Sequence, residues 1–384
     1  MEMDIYVENS ASMFGYLEGQ TEFKSVLMDL PFRMKDKGLK TNFFFINDKS
    51  YPIDKDFKVF IESLNSTEAK KYGKTDASQL DLMLETMINN ALKTGKSAFL
   101  ASDFVYDVRG KKPTDELQNL ENKIKTSVNK LKNQGWGLLV LRLKSQFNGT
   151  YYDLNDKKIQ LKGEQRPYYI WICGHNQLLQ TFTTEYNVST LKGFELANLY
   201  QQPANIQPYT SILPTSEKKG SFTRKAGKGA VTELINVEGV QGSREFQLSL
   251  AVNLSEIPVS ADYLTNTANY QLKSDLNAQI VSITPVSSAK IQANDRRFLC
   301  EATHVFVINI PSLIIKTASA DFSIQLLQKT SDWVNNFHTD DDSNIKSALT
   351  KSFGLKNLIA GVENGFNPSQ EQLIYANFGF KLNK

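Results

Sequence analysis

Cysteine and histidine are scarce in this chain of 384 residues, which contains two cysteines and three histidines. Cys173 and Cys300 lie far apart in apolar surroundings, and an exported protein of this size would usually carry more disulfide pairs. We therefore expect two buried free thiols. His175, His304 and His338 lie on separate segments without a cysteine or carboxylate at metal-ligand spacing, which argues against a zinc site.

Long apolar runs and an excess of charge of one sign are also absent. No run reaches about 18 apolar residues, so we expect no membrane-spanning helix. No basic and apolar leader precedes the first strand, which favours a cytoplasmic protein, although a chain whose export signal had been trimmed off would have the same sequence. The 44 Lys and Arg against 41 Asp and Glu give no electrostatic reason to bind nucleic acid.

Two common catalytic loops are missing as well. Neither Gly-x-Ser-x-Gly nor Gly-x4-Gly-Lys-Ser/Thr occurs, which removes the simplest hydrolase and NTPase interpretations. What is present, 41% hydrophobic and 11% aromatic residues, is typical of a folded globular chain. A length of 384 residues favours two domains.

Residues 1–190 alternate strand-like and helix-like patterns. The clearest helix lies between Pro113 and Gly135, where apolar residues recur every three or four positions: Leu117, Leu120, Ile124, Val128 and Leu131. Asn148-Gly149 predicts the tight turn of a hairpin. The alternation predicts an α/β domain, with a mainly parallel sheet and helices on both faces. Ligands of such sheets bind at the carboxyl ends of the strands.

The rest of the chain has a different composition. Residues 191–235 mix Pro, Gln, Ser, Gly and Lys without periodicity, so we expect a linker or long loop. Residues 236–330 contain several short alternating strands, which predict an antiparallel, β-sandwich-like domain. Residues 331–384 predict a helical C-terminal segment.

A set of oxygen-bearing side chains follows the first predicted strand. Glu8, Ser10 and Ser12 stand at every second position, so their side chains can converge on one point. Thr75 precedes the second long helix, and Asp103 ends the next core strand. Hydroxyls and carboxylates are hard ligands of the kind that Mg²⁺ prefers, and Mn²⁺ accepts the same octahedral set. These five residues are the predicted metal ligands.

A purely structural interpretation accounts for the same residues. Asn9 and the two serines could cap a strand-to-helix turn through side-chain to backbone hydrogen bonds, with Thr75 or Asp76 capping the next helix. A separate acidic run, Asp340-Asp341-Asp342, could be considered for calcium. It lacks the regularly spaced ligands of a twelve-residue calcium loop and its terminal Glu, so we expect a solvated helix-capping loop there.

The order and spacing of these residues resemble the von Willebrand factor A (vWA) family. Its metal-ion-dependent adhesion site has Asp-x-Ser-x-Ser after the first strand, a Thr before a later helix and an Asp after a following core strand. The resemblance covers about the first 190 residues and implies a vWA-like, Rossmann-like fold. It also implies that Ser10 and Ser12 ligate the metal directly, with Thr75 as a direct or water-bridged ligand and Asp103 as a direct or outer-shell carboxylate.

Glu8 departs from the family pattern, which has Asp at this position. The extra methylene displaces the carboxylate by about an ångström. Glu8 could therefore bind the ion directly, hold it through a different water, or fill the site and exclude the ion.

Two functions follow from this prediction. The resemblance implies a protein-protein interaction module, not an enzyme, that binds an acidic side chain of a partner protein through Mg²⁺, or a scaffold whose degenerate site is metal-free. The alternative is a Mg²⁺-dependent phosphoester hydrolase with Asp103 or Asp107 as base or nucleophile and Arg109 as the phosphate clamp.

Overall fold

The computed structural model describes residues 2–76, 78–106, 108, 112–202, 206–225, 229–257, 259, 261–327, 332–367 and 374–384. The chain divides into two compact units, the first formed by Met1–Gln202 and Thr330–Gln370 and the second by Pro203–Lys329 and Glu371–Lys384. No described helix is long and apolar enough to cross a membrane.

The strands, in chain order, are β1 (Glu2–Glu8), β2 (Lys40–Ile46), β3 (Ser50–Pro52), β4 (Ser97–Ser102), β5 (Trp136–Tyr152), β6 (Lys158–His175), β7 (Phe194–Gln201), β8 (Thr210–Leu213), β9 (Ser221–Arg224), β10 (Glu233–Glu238), β11 (Phe246–Val252), β12 (Tyr270–Lys273), β13 (Gln279–Pro285), β14 (His304–Ile310), β15 (Ser319–Leu327), β16 (His338–Thr339), β17 (Ser352–Phe353) and β18 (Ile374–Asn383). The α-helices are α1 (Phe14–Leu17), α2 (Glu22–Asp36), α3 (Phe57–Ser63), α4 (Ser66–Ala69), α5 (Leu80–Thr94), α6 (Pro113–Asn129), α7 (Asn176–Thr184), α8 (Ala261–Thr265), α9 (Asp332–Phe337) and α10 (Leu355–Phe366). Short 3-10 helices cover Ala11–Met13, Val188–Thr190, Thr267–Asn269, Ala293–Phe298 and Ile345–Ser347.

The first unit is built on a seven-stranded mixed sheet of order β3-β2-β1-β4-β6-β5-β7. Strands β2, β1 and β4 are parallel, as the alternation of strands and helices predicts. β3 joins β2 antiparallel, and the hairpin of β5 and β6 joins β4 antiparallel, with β7 antiparallel to β5. The sheet is therefore parallel only at β2, β1 and β4, and the carboxyl ends of β1 and β4 carry the predicted site.

Each face of this sheet is covered by helices. Along β1, Ile5 and Val7 point into one hydrophobic core with α2 and α7, whereas Tyr6 points into the other with α5, α6 and α10. Both faces are therefore dry, which explains why the middle of each strand, Ile5 to Val7 in β1 and Ala98 to Ala101 in β4, is continuously apolar. The predicted apolar face of α6, from Leu117 to Val128, is buried as expected.

The predicted turn at Asn148-Gly149 is wrong. Both residues lie within β5 and pair with β6, and the hairpin closes instead at Asp153, whose Oδ1 accepts the backbone N–H groups of Asn155 and Lys157, each at 2.9 Å. Gly149 has a different purpose, because a Cβ there would lie only 2.8 Å from the Cα atom of Gly15. The missing side chain lets α1 approach β5.

The second unit contains two sheets, of order β12-β15-β18-β10-β9 and β13-β14-β11-β8. All pairs are antiparallel except β10 with β18. Both sheets contribute to one hydrophobic core. The ring of Phe306 on β14 illustrates this, since its centroid lies 5.2 Å from that of Tyr270 and 5.3 Å from that of Phe378, both on the other sheet.

Three expectations from the sequence need correction. Residues 191–235 are not a linker, because β7, β8, β9 and the start of β10 lie there. In its described residues the C-terminal segment is helical in α9, α10 and the 3-10 helix Ile345–Ser347, and it ends in β18, which lies between β15 and β10. Cys173 is buried and free as expected, but the free Cys300 is exposed. It lies in the turn after the 3-10 helix Ala293–Phe298, outside the strands that form the core.

Candidate functional site

The predicted site lies where β1 and β4 end side by side. Their parallel register pairs Val7 with Ala101, so Glu8 comes level with Ser102 and Asp103 at the same edge of the sheet. The chain then leaves β1 in an extended conformation at Ser10 (φ −68°, ψ 163°) and enters a 3-10 turn. Neighbouring parallel strands thus bring together groups that are almost a hundred residues apart in the sequence.

Glu8 is fully buried at the end of β1. The Ser10 hydroxyl donates to its Oε1 at 2.6 Å, and the Ser102 hydroxyl donates to its Oε2. Both carboxyl oxygens therefore have protein partners. Ser102 is a member of the site that the sequence analysis missed.

Ser10 and Ser12 form the next layer. Their hydroxyl oxygens lie 2.9 Å apart and share a hydrogen bond. Adjacent oxygens of an octahedral Mg²⁺ site, with metal–oxygen distances of about 2.0–2.1 Å, are separated by about the same distance. The alternating serines therefore converge on one point, as their spacing predicts.

Asp103 is buried behind these hydroxyls, 3% exposed. Its Oδ1 accepts the backbone N–H of Val105 at 3.1 Å, and its own backbone N–H points to Met13 Sδ at 3.1 Å. The next residue, Phe104, has a φ of 54°, a strained value for an aromatic side chain. Stacking of the Phe104 ring on Trp171, with centroids 4.8 Å apart, holds this turn in place.

The two carboxyl groups raise each other's cost of ionisation. Burial raises the pKa of Glu8 to about 7, and the charge of Asp103 raises it further. The hydroxyls of Ser10, Ser102 and Ser78 act in the opposite direction and lower this pKa. Burial also raises the pKa of Asp103, whereas the Val105 N–H, the Ser12 hydroxyl and the Arg166 charge lower it. Within the described chain neither carboxyl forms an ion pair with a basic side chain.

The loop before α5 supplies the remaining predicted residue. Thr75 accepts the backbone N–H of Ala11 through its carbonyl oxygen at 2.7 Å, which ties this loop to the turn after β1. Ser78 follows on the same loop, 8% exposed. Its Oγ has no hydrogen bond of ordinary geometry within the described chain, although it lies close enough to lower the pKa of Glu8. Ser78 is the second site residue that the sequence analysis missed.

A cavity of about 590 Å³ opens onto this layer of hydroxyls. Ser10, Ser12, Thr75 and Ser78 line it. Glu8 and Asp103 do not, so the two carboxylates lie behind the hydroxyls and away from the open face. The hairpin turn and the segment before α10 complete the walls. Leu154 belongs to the hairpin turn, and Asp342 and Phe353 belong to the segment before α10.

A magnesium ion fits this donor set by its chemistry. No cluster of three or more His, Cys, Asp or Glu side chains that could hold a metal occurs in the described ranges, so a carboxylate-rich cage is not present there. The Ser10 and Ser12 hydroxyls are instead neutral donors whose separation of 2.9 Å suits octahedral coordination, with two buried carboxyl groups behind them to balance a cation. Ser10, Ser12 and Thr75 would hold the ion, and Glu8 and Asp103 would orient the hydroxyls.

The other candidate residues do not join this site. Asp107 and Arg109, considered for a hydrolase, lie outside the described residues. The Asp340 Oδ1 accepts the Nε2–H of His338 at 2.8 Å, whereas Asp342 accepts the hydroxyl of Tyr151 and the backbone N–H of Leu154. These aspartates serve separate local structures, so they do not form a calcium loop.

Comparison with known proteins adds no family to this description. A scan against protein-family models finds no match, and no curated protein is detectably similar in sequence.

Proposed function

We propose that the first unit is a vWA-like interaction module, which binds an acidic side chain of a partner protein through Mg²⁺ held at the ends of β1 and β4. The β-rich second unit, which we interpret as a sandwich, would offer a further contact surface. The parallel order β2-β1-β4, helices on both faces of the sheet and hydroxyls at its carboxyl edge support the vWA-like interpretation.

One observation carries the proposal. The Ser10 and Ser12 hydroxyls lie 2.9 Å apart at the cavity. Two buried carboxyl groups stand behind them. The charge of Arg166 lowers the pKa of Asp103, but neither carboxyl forms an ion pair with a described basic side chain. Like charges in a buried site are unfavourable unless a cation compensates them. A bound Mg²⁺ would supply that charge and an open coordination position for a carboxylate oxygen.

A metal-free scaffold is the second candidate, and one specific observation favours it. Both oxygens of Glu8 already accept hydroxyl hydrogen bonds, from Ser10 and Ser102. A protonated Glu8 would leave only one buried negative charge, which would reduce the need for a cation. No contact among the described residues favours the hydrolase, whose candidate residues Asp107 and Arg109 lie outside them.

Titration with Mn²⁺ separates these candidates. We expect the wild-type protein to bind one Mn²⁺ in calorimetry at pH 8, where Glu8 is mainly ionised, and Ser12→Ala to bind it at least tenfold more weakly. Ser25→Ala is the matched control, because Ser25 is also half-buried and its hydroxyl bonds only the Thr21 carbonyl on α2. Failure of the wild-type protein to bind Mn²⁺ would leave the metal-free scaffold as the better account.

Turnover tests the hydrolase directly. We expect no magnesium-dependent hydrolysis of a simple aryl phosphate. Hydrolysis that disappears in Asp103→Ala would make the protein an enzyme and overturn the proposed function.

A further inference from the structure

The cavity beside the hydroxyls has an apolar wall. Phe14, Val105 and Leu154 line it and are only half-buried. The exposed side chain of Lys70 lies over the Phe14 ring, with its Nζ 5.0 Å from the ring centroid, and would have to move for a ligand to cover that ring. Phe14 lies two residues after Ser12, and the backbone N–H of Val105 donates to Asp103. Apolar surface therefore lies next to the predicted metal ligands, both in the turn after β1 and in the turn after β4.

The cavity is larger than a carboxyl group requires. Its volume of about 590 Å³ lies in the range of pockets that enclose a small organic ligand. A carboxylate at the hydroxyls would leave most of this space open. A bulky apolar side chain next to the carboxylate could occupy it and cover the half-buried wall.

Charge at the cavity disfavours a strongly acidic ligand. Carboxylates outnumber amines in the lining, which includes Glu18, Asp76, Asp153, Asp156 and Asp342 against Lys70 and Lys158. A cation at the hydroxyls would offer a coordination position that one carboxylate of the ligand can take directly. Further negative charges would face the carboxylates of the lining and be repelled.

From these features we infer that the cavity binds a partner segment with a single acidic residue directly beside a bulky apolar residue. The inference rests on the proposed function and adds the sequence that the partner must carry. The carboxylate reaches the hydroxyl layer, the apolar side chain covers Phe14, Val105 and Leu154, and the acidic lining excludes polyacidic segments.

Four capped tetrapeptides test this inference on the full chain with saturating Mn²⁺. Acetyl-Gly-Asp-Phe-Gly-amide is compared with the peptides in which Ser replaces Phe, Asn replaces Asp, or Asp replaces the first Gly. We expect the Asp-Phe peptide to bind at least tenfold more tightly than the Asp-Ser peptide, because burying a phenyl ring is worth at least that factor. The Asn-Phe peptide should not bind measurably, and the diacidic peptide should bind more weakly at low salt.

Wall variants show where the phenyl ring binds. Leu154→Ser should remove most of the preference for Phe over Ser while leaving Mn²⁺ affinity unchanged. Val281→Ser is the control, because Val281 is 56% exposed on the second unit and should have no effect.

Each result has one interpretation. If Mn²⁺ binds but the Asp-Phe and Asp-Ser peptides bind equally, the inference is wrong and the proposed function stands. The same holds if the diacidic peptide binds most tightly or if Leu154→Ser keeps the full preference. If neither Mn²⁺ nor the Asp-Phe peptide binds, both are wrong.

Discussion

The buried carboxyl groups of Glu8 and Asp103 lie close enough to interact, because the charge of Asp103 adds to burial in raising the pKa of Glu8 to about 7. The two residues end neighbouring parallel strands, where only hydroxyls separate them from the cavity. A cation at the hydroxyls would favour ionisation of both carboxyls, so proton and metal should compete at this site.

Stability should depend on pH through Glu8. Between about pH 4.5 and 7 the folded protein keeps a proton on Glu8 that the unfolded chain has already lost, so the free energy of unfolding falls as pH rises. The total effect is about 3 kcal/mol. Urea unfolding of the metal-free protein at several pH values measures it. Glu8→Gln removes the titrating group and should flatten the profile, and equal slopes for the two proteins would contradict the assignment.

Shortening Glu8 to aspartate separates its structural role from its role toward the metal. Glu8→Asp cannot reach both Ser10 and Ser102, so we expect the free energy of unfolding to fall by about 1–2 kcal/mol. Mn²⁺ affinity should hold or rise, because the variant restores the vWA pattern. Denaturant unfolding and Mn²⁺ titration of the same preparation measure both quantities. Loss of Mn²⁺ binding as complete as in Ser12→Ala would show that Glu8 itself is a required ligand.

Arg166 should be required for the segment that follows α9. Its buried guanidinium donates from Nη1 to the carbonyls of Ala348, Leu349 and Lys351 at 2.8–3.3 Å. Arg166→Lys cannot reproduce this fan of donors and should lower the free energy of unfolding by about 2–4 kcal/mol. The exposed Arg224 is the control, and Arg224→Lys should change it by less than about 0.5 kcal/mol. Equal losses in both variants would contradict this role.

The two thiols should differ sharply in reactivity. Cys300 is exposed, whereas Cys173 is buried and burial raises the pKa of its thiol, so one thiol should react rapidly with an aromatic disulfide reagent in the native protein. The second should react only after unfolding. Cys300→Ser should remove the fast phase, and a fast phase that persists in this variant would place Cys173 at the surface.

The sequence predicts the parts of this fold that repeat a local pattern. The apolar face of α6 is recognisable because Leu117, Leu120 and Ile124 recur at the helical period and are buried on one side. Strands β7, β8 and β9 are not recognisable, because β8 and β9 have only four residues each, and apolar and polar residues do not alternate regularly along the eight residues of β7. Asn148-Gly149 misleads for another reason, since its glycine is needed for a close approach to Gly15 and not for a turn.

The residues of the candidate site also fall into two groups, those that the sequence reveals and those that only the tertiary structure reveals. Ser10 and Ser12 are evident from their spacing after one strand, and Asp103 from its place after another. Ser102 depends on the register between β1 and β4, which no local pattern contains. Ser78 depends on how the loop before α5 folds back toward Glu8, so its position in the cavity is also a property of the tertiary structure.

The most direct test of a metal at this site is anomalous scattering from crystals grown at pH 8 and soaked in Mn²⁺. We predict one manganese peak at the cavity within coordination distance of the Ser10 and Ser12 hydroxyls, and no such peak in Ser12→Ala crystals treated identically. Wild-type crystals with no manganese there, in which Glu8 keeps its hydrogen bonds to Ser10 and Ser102, would contradict the account and favour a metal-free scaffold.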